Sequence, residues 1–284
     1  MRTVRTILLM LVVLACGIGG TLYSVETHLV LYHPDVRLPS PAQAGVPEMR
    51  PVTIHTKDNL PLTSWFVDAA DDKPVLLFFM GDTGSLADRA DAFKPFIQHG
   101  YGIFLLGYRG FGGNPGEPSE RGLYRDARAA IAWLGSHGYD AGRIVLYGHS
   151  LGTGIAVQMA TEIKARAVIL EAPYTTLPDT VQLNMPLVSA NWFMKKDYYN
   201  NIEKIGKIRE PLLIVQGDHD EVIPYKQGKA LFKAAPEPKQ AYLIPEGGHS
   251  DLFDYGEAQL VMDFLDHHAG EGSEASDRLE VIEH

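Results

Sequence analysis

The stretch Arg143-Ile144-Val145-Leu146-Tyr147-Gly148-His149-Ser150-Leu151-Gly152-Thr153-Gly154 constrains this chain more than any other. Residues 144–147 are a short apolar run that reads as a buried strand. Residues 155–163 then carry apolar side chains at helical spacing. Glycine, any residue, serine, any residue, glycine between a strand and a helix is the pattern of a nucleophile elbow. The glycines are required because the backbone turns sharply there and neighbouring chains come close. Such a turn lifts the serine above the sheet. It places the hydroxyl at a helix N-terminus, where backbone N–H groups meet developing negative charge. Ser150 is therefore the candidate nucleophile, and the rest of the chain tests it.

A chain of 284 residues, 45% of them hydrophobic, can bury one large core, so one catalytic domain is expected. The net charge of −10, with no basic cluster, argues against a nucleic-acid partner. The single cysteine, Cys16, lies in the N-terminal apolar segment. A domain built from the remainder has no disulfide, thiol nucleophile or cysteine metal site. Arg2 and Arg5 precede an apolar run over 7–22, and no further lysine or arginine occurs before Arg37. That asymmetry is the pattern of an export signal, with the domain placed outside the cytoplasm, periplasmic in a bacterium. Residues 1–26 are read as a signal anchor that tethers the protein to the membrane. The alternatives are a cleaved signal peptide or lipid attachment at Cys16.

Residues 27–50 are punctuated by Pro34, Pro39, Pro41 and Pro47 and read as a linker. The domain is expected over 51–268. Residues 52–56 and 60–67 read as an antiparallel hairpin. Continuous apolar runs at 75–79, 102–106, 144–147, 165–170, 211–215 and 241–244 read as buried strands. Helical patterns at 87–98, 120–137, 155–163 and 257–267 alternate with them. This alternation predicts the α/β class, a mostly parallel central sheet flanked by helices. Residues 174–207 break the rhythm, being too apolar for a loop and too long for one crossover helix. They are read as a small helical lid lined for an apolar substrate, against the alternative of a single packing helix. The stretch 269–284 turns acidic and small and is expected to be a disordered tail.

A serine hydroxyl needs a histidine to take its proton and a carboxylate to orient that histidine. In the hydrolase order both follow the serine, the acid after one strand and the histidine after the next. The loop after 211–215 offers Asp218, Asp220 and Glu221. Asp220 is favoured, with Asp218 second as a turn-former. The loop after 241–244 offers Gly247-Gly248-His249, and His249 is the candidate base. His149 and His219 are expected to point away, and His267 and His268 to be surface residues at a helix end. For an oxyanion, Leu151 supplies one backbone donor and the loop Met80-Gly81-Asp82-Thr83-Gly84 the other, at the Asp82 N–H. The Asp82 carboxylate is expected to turn outward and cap the helix that starts near Leu86. No histidine–carboxylate cluster has metal-ligand spacing and no glycine-rich loop matches a nucleotide signature, so neither metal nor cofactor is expected.

With these residues in place the chain resembles the α/β-hydrolases of the Bem46-like, membrane-anchored group. The matching stretches include Leu31-Tyr32-His33-Pro34, Tyr108-Arg109-Gly110-Phe111-Gly112 with Pro118-Ser119-Glu120, and Glu171-Ala172-Pro173-Tyr174. Gly148-His149-Ser150-Leu151-Gly152, Asp220-Glu221-Val222-Ile223-Pro224 and Gly247-Gly248-His249 complete the set. The resemblance implies an α/β-hydrolase fold and a triad of Ser150, Asp220 and His249. It also implies an N-terminal anchor and cleavage of ester or thioester bonds. One departure stands out: the group carries His-Gly-Asn where this chain has Met80-Gly81-Asp82.

The leading expectation is a serine hydrolase acting on small or acyl esters through an acyl-enzyme. An oligopeptidase or amidase on the same fold is the second, although the propeller domain of many such peptidases is missing. A catalytically silent binding module of the cell envelope is the third, and failure of Ser150 to react with a fluorophosphonate would favour it.

Overall fold

The computed structural model describes residues 38–184, 198–268 and 278–281. The expected signal segment at 1–26, with Cys16, lies outside the described residues. So do residues 185–197 of the lid and most of the acidic tail. Among the described residues no helix is long and apolar enough to cross a membrane.

The hairpin forms from β1 (Arg50–His55) and β2 (Pro61–Val67), which pair antiparallel. The apolar runs become β3 (Val75–Phe79), β4 (Gly102–Leu105), β5 (Ile144–His149), β6 (Ala167–Glu171), β7 (Leu212–Gly217) and β8 (Lys239–Ile244). All five residues of β3 are buried, as a strand covered on both faces requires. The sheet order is β1-β2-β4-β3-β5-β6-β7-β8-β9, parallel from β4 onward.

The last strand, β9 (Arg278–Val281), corrects the expectation of a wholly disordered tail. The physical reason is the unpaired N–H and C=O row that β8 would otherwise present, a template for one more strand. Residues 38–49 of the expected linker are also more than a tether, since Val46 and Met49 are buried in the core.

The helices are α1 (Leu86–Ala90), α2 (Lys94–Gln98), α3 (Glu120–Ser136), α4 (Leu151–Ala160), α5 (Leu177–Asn184), α6 (Asn201–Lys204), α7 (Lys226–Ala234) and α8 (Glu257–His267). Helices α2 and α8 touch one another, and α3, α4, α6 and α7 form a second run of contacts. The single helix expected at 87–98 is broken by a 3₁₀ turn over Asp91–Phe93. Pro95 explains the break: it has no N–H to give, and its ring clashes with the carbonyl four residues back. Helix α7 was not legible in the sequence because its buried face is Gln227, Gly228 and Leu231 rather than an apolar stripe. Gly228 lets this helix close on β7, for a Cβ there would lie 2.2 Å from Gln216 Oε1.

The loop between β4 and α3 is pinned by one buried cation. Arg109 donates to Asp126 Oδ1 from Nε at 2.9 Å and from Nη2 at 2.7 Å. Its Nη1 and Nη2 reach Asp58 at 2.9 and 3.1 Å, which ties in the β1–β2 turn. Asp126 is fully buried. Arg109→Met should therefore lower the free energy of unfolding by about 3–5 kcal/mol, the usual cost of orphaning a buried charge. Urea unfolding at pH 7 measures it, and Asp126→Asn in the same chain should restore part of the loss.

Candidate active site

The loops that leave the carboxyl ends of β3, β5, β6, β7 and β8 gather at one end of the sheet, where open parallel sheets place their sites. Ser150 sits between β5 and α4 with φ 51° and ψ −120°, a backbone conformation that L-residues avoid. The surrounding glycines allow it. A Cβ at Gly152 would lie 1.9 Å from the Phe79 carbonyl oxygen, and one at Gly148 would lie 2.5 Å from the Gly152 carbonyl oxygen. The Ser150 N–H donates to the Glu171 carbonyl at 3.0 Å, and Thr153 Oγ1 donates to the Ser150 carbonyl at 2.7 Å.

His249, on the loop after β8, places Nε2 2.9 Å from Ser150 Oγ. Its Nδ1 lies 2.9 Å from Asp220 Oδ2. Asp220 is held by its other oxygen, which accepts the N–H groups of Val222 at 2.9 Å and Ile223 at 2.8 Å. Its side chain is fully buried, whereas the Asp218 side chain is about a third exposed and lies 4.0 Å from His219. The fold thus brings Ser150, His249 and Asp220 together and leaves Asp218 out. His219 is exposed beside Glu246 and points away, as expected.

The Met80-Gly81-Asp82 loop lies against the serine, for a Cβ on Gly81 would come within 3.4 Å of Ser150 Cβ. Tyr108 OH donates to the Met80 carbonyl at 3.0 Å and fixes that loop from behind. Leu151 is the first residue of α4, so its N–H has no partner within the helix. Among the described residues no group of three or more histidine, cysteine, aspartate or glutamate side chains could hold a metal ion.

A family model described as "Serine aminopeptidase, S33" matches residues 70–202. A relative from Mycobacterium tuberculosis, itself named only as an uncharacterized protein, is 33% identical over 240 residues, 84% of this chain and 85% of its own length. The alpha/beta hydrolase domain-containing protein WAV2 of Arabidopsis thaliana is 28% identical over 272 residues, covering 84% of this chain and 87% of that one. An esterase of Pyrococcus furiosus superposes with TM-score 0.68 at 21% identity, covering 84% of this chain and 99% of the esterase. The chain belongs to the α/β-hydrolase superfamily.

Two expectations about this α/β-hydrolase need correction. Asp82 does not cap α1. That helix is started by Ser85, whose N–H and Oγ–H both donate to Asp88 Oδ2, at 2.7 and 2.9 Å. The Asp82 carboxyl is instead partly buried, where desolvation raises its pKa, opposed in part by a hydrogen bond from its own backbone N–H and then by His249. Nor does His149 point away from the site. It is buried, with its ring centroid 5.2 Å from that of His249, and its Nε2 lies 3.0 Å from the His249 carbonyl oxygen. Burial above all, then Arg89 and His249, lower its pKa to about 4 although Glu171 pulls the other way. At neutral pH it is uncharged, and the tautomer that suits this contact carries its proton on Nε2.

A second group was missed altogether. Arg89, on α1, donates from Nη2 to both Glu171 oxygens at 2.7 and 2.8 Å and from Nη1 to the Ser250 carbonyl at 3.0 Å. Burial opposes ionisation of Glu171, but Arg89 and His149 more than offset it and its pKa falls. Glu257, bonded to Tyr147 OH at 2.7 Å, goes the other way, raised well above the glutamate range by burial and by Glu171. No sequence spacing links residues 89, 171 and 257. The one available signal was an arginine on the buried side of an otherwise short amphipathic segment.

A raised Asp82 pKa makes this hydrolase less stable once the carboxyl must ionise. Asp82→Asn is therefore expected to raise the melting temperature at pH 7. The gain should shrink as the pH falls and vanish below about 3.9, the unfolded aspartate value, where both forms are neutral. Calorimetry across that range checks the sign.

Proposed function

We propose that this protein is a serine hydrolase that cleaves carboxylic ester or thioester bonds through a Ser150-His249-Asp220 triad. The observation that carries the reading is the relay of two 2.9 Å contacts from Ser150 Oγ through His249 to Asp220, in the chain order of the superfamily. Ser150 Oγ attacks the acyl carbon while His249 Nε2 takes the hydroxyl proton. The tetrahedral oxyanion forms against the N–H groups of Leu151 and Asp82. Its collapse breaks the bond to the leaving oxygen or sulfur, which receives the proton from His249. Water, deprotonated by the same imidazole, then hydrolyses the acyl-enzyme and restores Ser150. Asp220 holds the histidine tautomer and steadies the imidazolium.

An acyl substrate is favoured by exposed apolar side chains on the loop that carries Asp220 and on either side of residues 185–197. Leu183 on α5 and Tyr198 before α6 are exposed, as are Val222 and Tyr225 on the loop that carries Asp220. Arg2 and Arg5 before the apolar run at 7–22 support a membrane tether of the Bem46-like kind, with the catalytic domain outside the cytoplasm. A phosphatase fused after Thr27 tests the orientation, and activity confined to a cytoplasmic reporter would refute it.

Amide cleavage is the second reading. It is favoured by the aminopeptidase description of the matching family and by the Asp82 carboxyl near the nucleophile, which would suit an α-ammonium group. Comparing p-nitrophenyl esters of graded chain length with aminoacyl p-nitroanilides separates the two.

Two outcomes test the leading reading. Fluorophosphonate should label the wild type and not Ser150→Ala. Asp220→Asn should lose on the order of 10⁴ in kcat, the scale set by a triad aspartate, while Asp218→Asn stays within a few-fold. The reverse ranking at equal folding would reject the assignment.

A further inference from the structure

We propose that Arg89 is the positioning residue for the loop that carries His249, acting with Glu171 and His149; this rests on the triad reading above. The need for such a device is geometric. The His249 ring must meet Ser150 Oγ and Asp220 Oδ2 together, at 2.9 Å each. Yet the chain that delivers it is Gly247-Gly248, two residues with no side chain to pack. A misplacement of about 1 Å in a reacting group costs on the order of 10²-fold in rate.

Two consecutive carbonyls of this loop are gripped by side chains from other elements. His149 Nε2 holds that of His249 at 3.0 Å, and Arg89 Nη1 holds that of Ser250 at 3.0 Å. Arg89 is itself immobilised. Its Nη2 bonds both oxygens of Glu171, and its guanidinium lies over the Phe78 and Phe253 rings at 5.8 and 5.5 Å from their centroids. Glu171 closes the circuit, because its main-chain oxygen takes the Ser150 N–H at 3.0 Å. One residue at the end of β6 thus fastens the nucleophile through its backbone and the base-bearing loop through Arg89. The planar guanidinium reaches carboxylate and carbonyl from two separate nitrogens in a fixed geometry that the single ammonium of lysine does not reproduce.

The test uses the full chain and p-nitrophenyl ester hydrolysis. Arg89→Met should lose roughly 10- to 100-fold in kcat with KM within about twofold. The rate of fluorophosphonate labelling of Ser150 should fall by the same factor. Arg89→Lys should recover only part of either. The low-field proton resonance of the His249–Asp220 bond should broaden or vanish in Arg89→Met, which loss of stability alone would not cause in a folded chain. His149→Phe leaves the Arg89–Glu171 pair intact and should lose several-fold in kcat, so it decides the matter if Arg89→Met does not fold. Folded Arg89→Met with unchanged kcat and an unchanged resonance would overturn the positioning role while Ser150→Ala remained inactive. Hydrolysis that survived Ser150→Ala would instead overturn the triad reading and this proposal with it.

Discussion

Ser150 occupies a backbone conformation, φ 51° and ψ −120°, that costs a non-glycine residue on the order of 1–3 kcal/mol. It persists because its neighbours leave no other place for the chain to go. Gly152 is seated against the Phe79 carbonyl and Gly148 against the Gly152 carbonyl. The Ser150 N–H is committed to Glu171 across the β5–β6 pair. The strain is offset by the burial of β3, β5 and β6, whose residues are all buried. Each large side chain buried there stabilises the fold by roughly 1.5–3 kcal/mol. A core assembled for stability thereby holds one serine in a posture that a free chain would abandon.

Two of the buried carboxylates, Glu171 and Asp126, are each matched to an arginine. Arg89 favours the charged form of Glu171, whose pKa falls; Glu257, close to the same arginine, is pushed toward its neutral form by burial and by Glu171. Asp126 has Arg109, although burial still raises its pKa. Desolvated ions left without such partners would cost several kcal/mol each. Both arginines reach beyond their carboxylates, Arg89 to the His249 loop and Arg109 to the β1–β2 turn. Electrostatic demand in the core becomes mechanical linkage between loops at the surface.

Two features near the triad differ in chemistry. Val222 and Tyr225, on the loop that carries Asp220, are exposed apolar side chains, while the partly buried Asp82 carboxyl lies close enough to His249 to interact with it electrostatically. A fixed negative charge near a developing oxyanion opposes it, unless the carboxyl is protonated or the substrate supplies a cation. That tension is particular to the Met80-Gly81-Asp82 loop.

The sequence by itself determined the α/β class, the elbow, and the order of serine, acid and histidine, since each is local. Apolar runs of strand length mark β3 to β8, and the glycines at 148, 152, 247 and 248 mark close backbone approach within a few residues of the reacting groups. Choosing Asp220 over Asp218 was also local, because a carboxylate that accepts the N–H groups of residues 222 and 223 needs only the turn that follows it. The direction of Asp82, the role of His149 and the Arg89–Glu171 link were decided only by tertiary structure. These depend on which strands lie side by side: β5 next to β6 pairs His149 with Glu171, and the packing of α1 brings Arg89 within reach of residues 82 and 161 positions away. Helix α7 and strand β9 belong with them, the first formed on a glycine face against β7 and the second templated by a sheet edge.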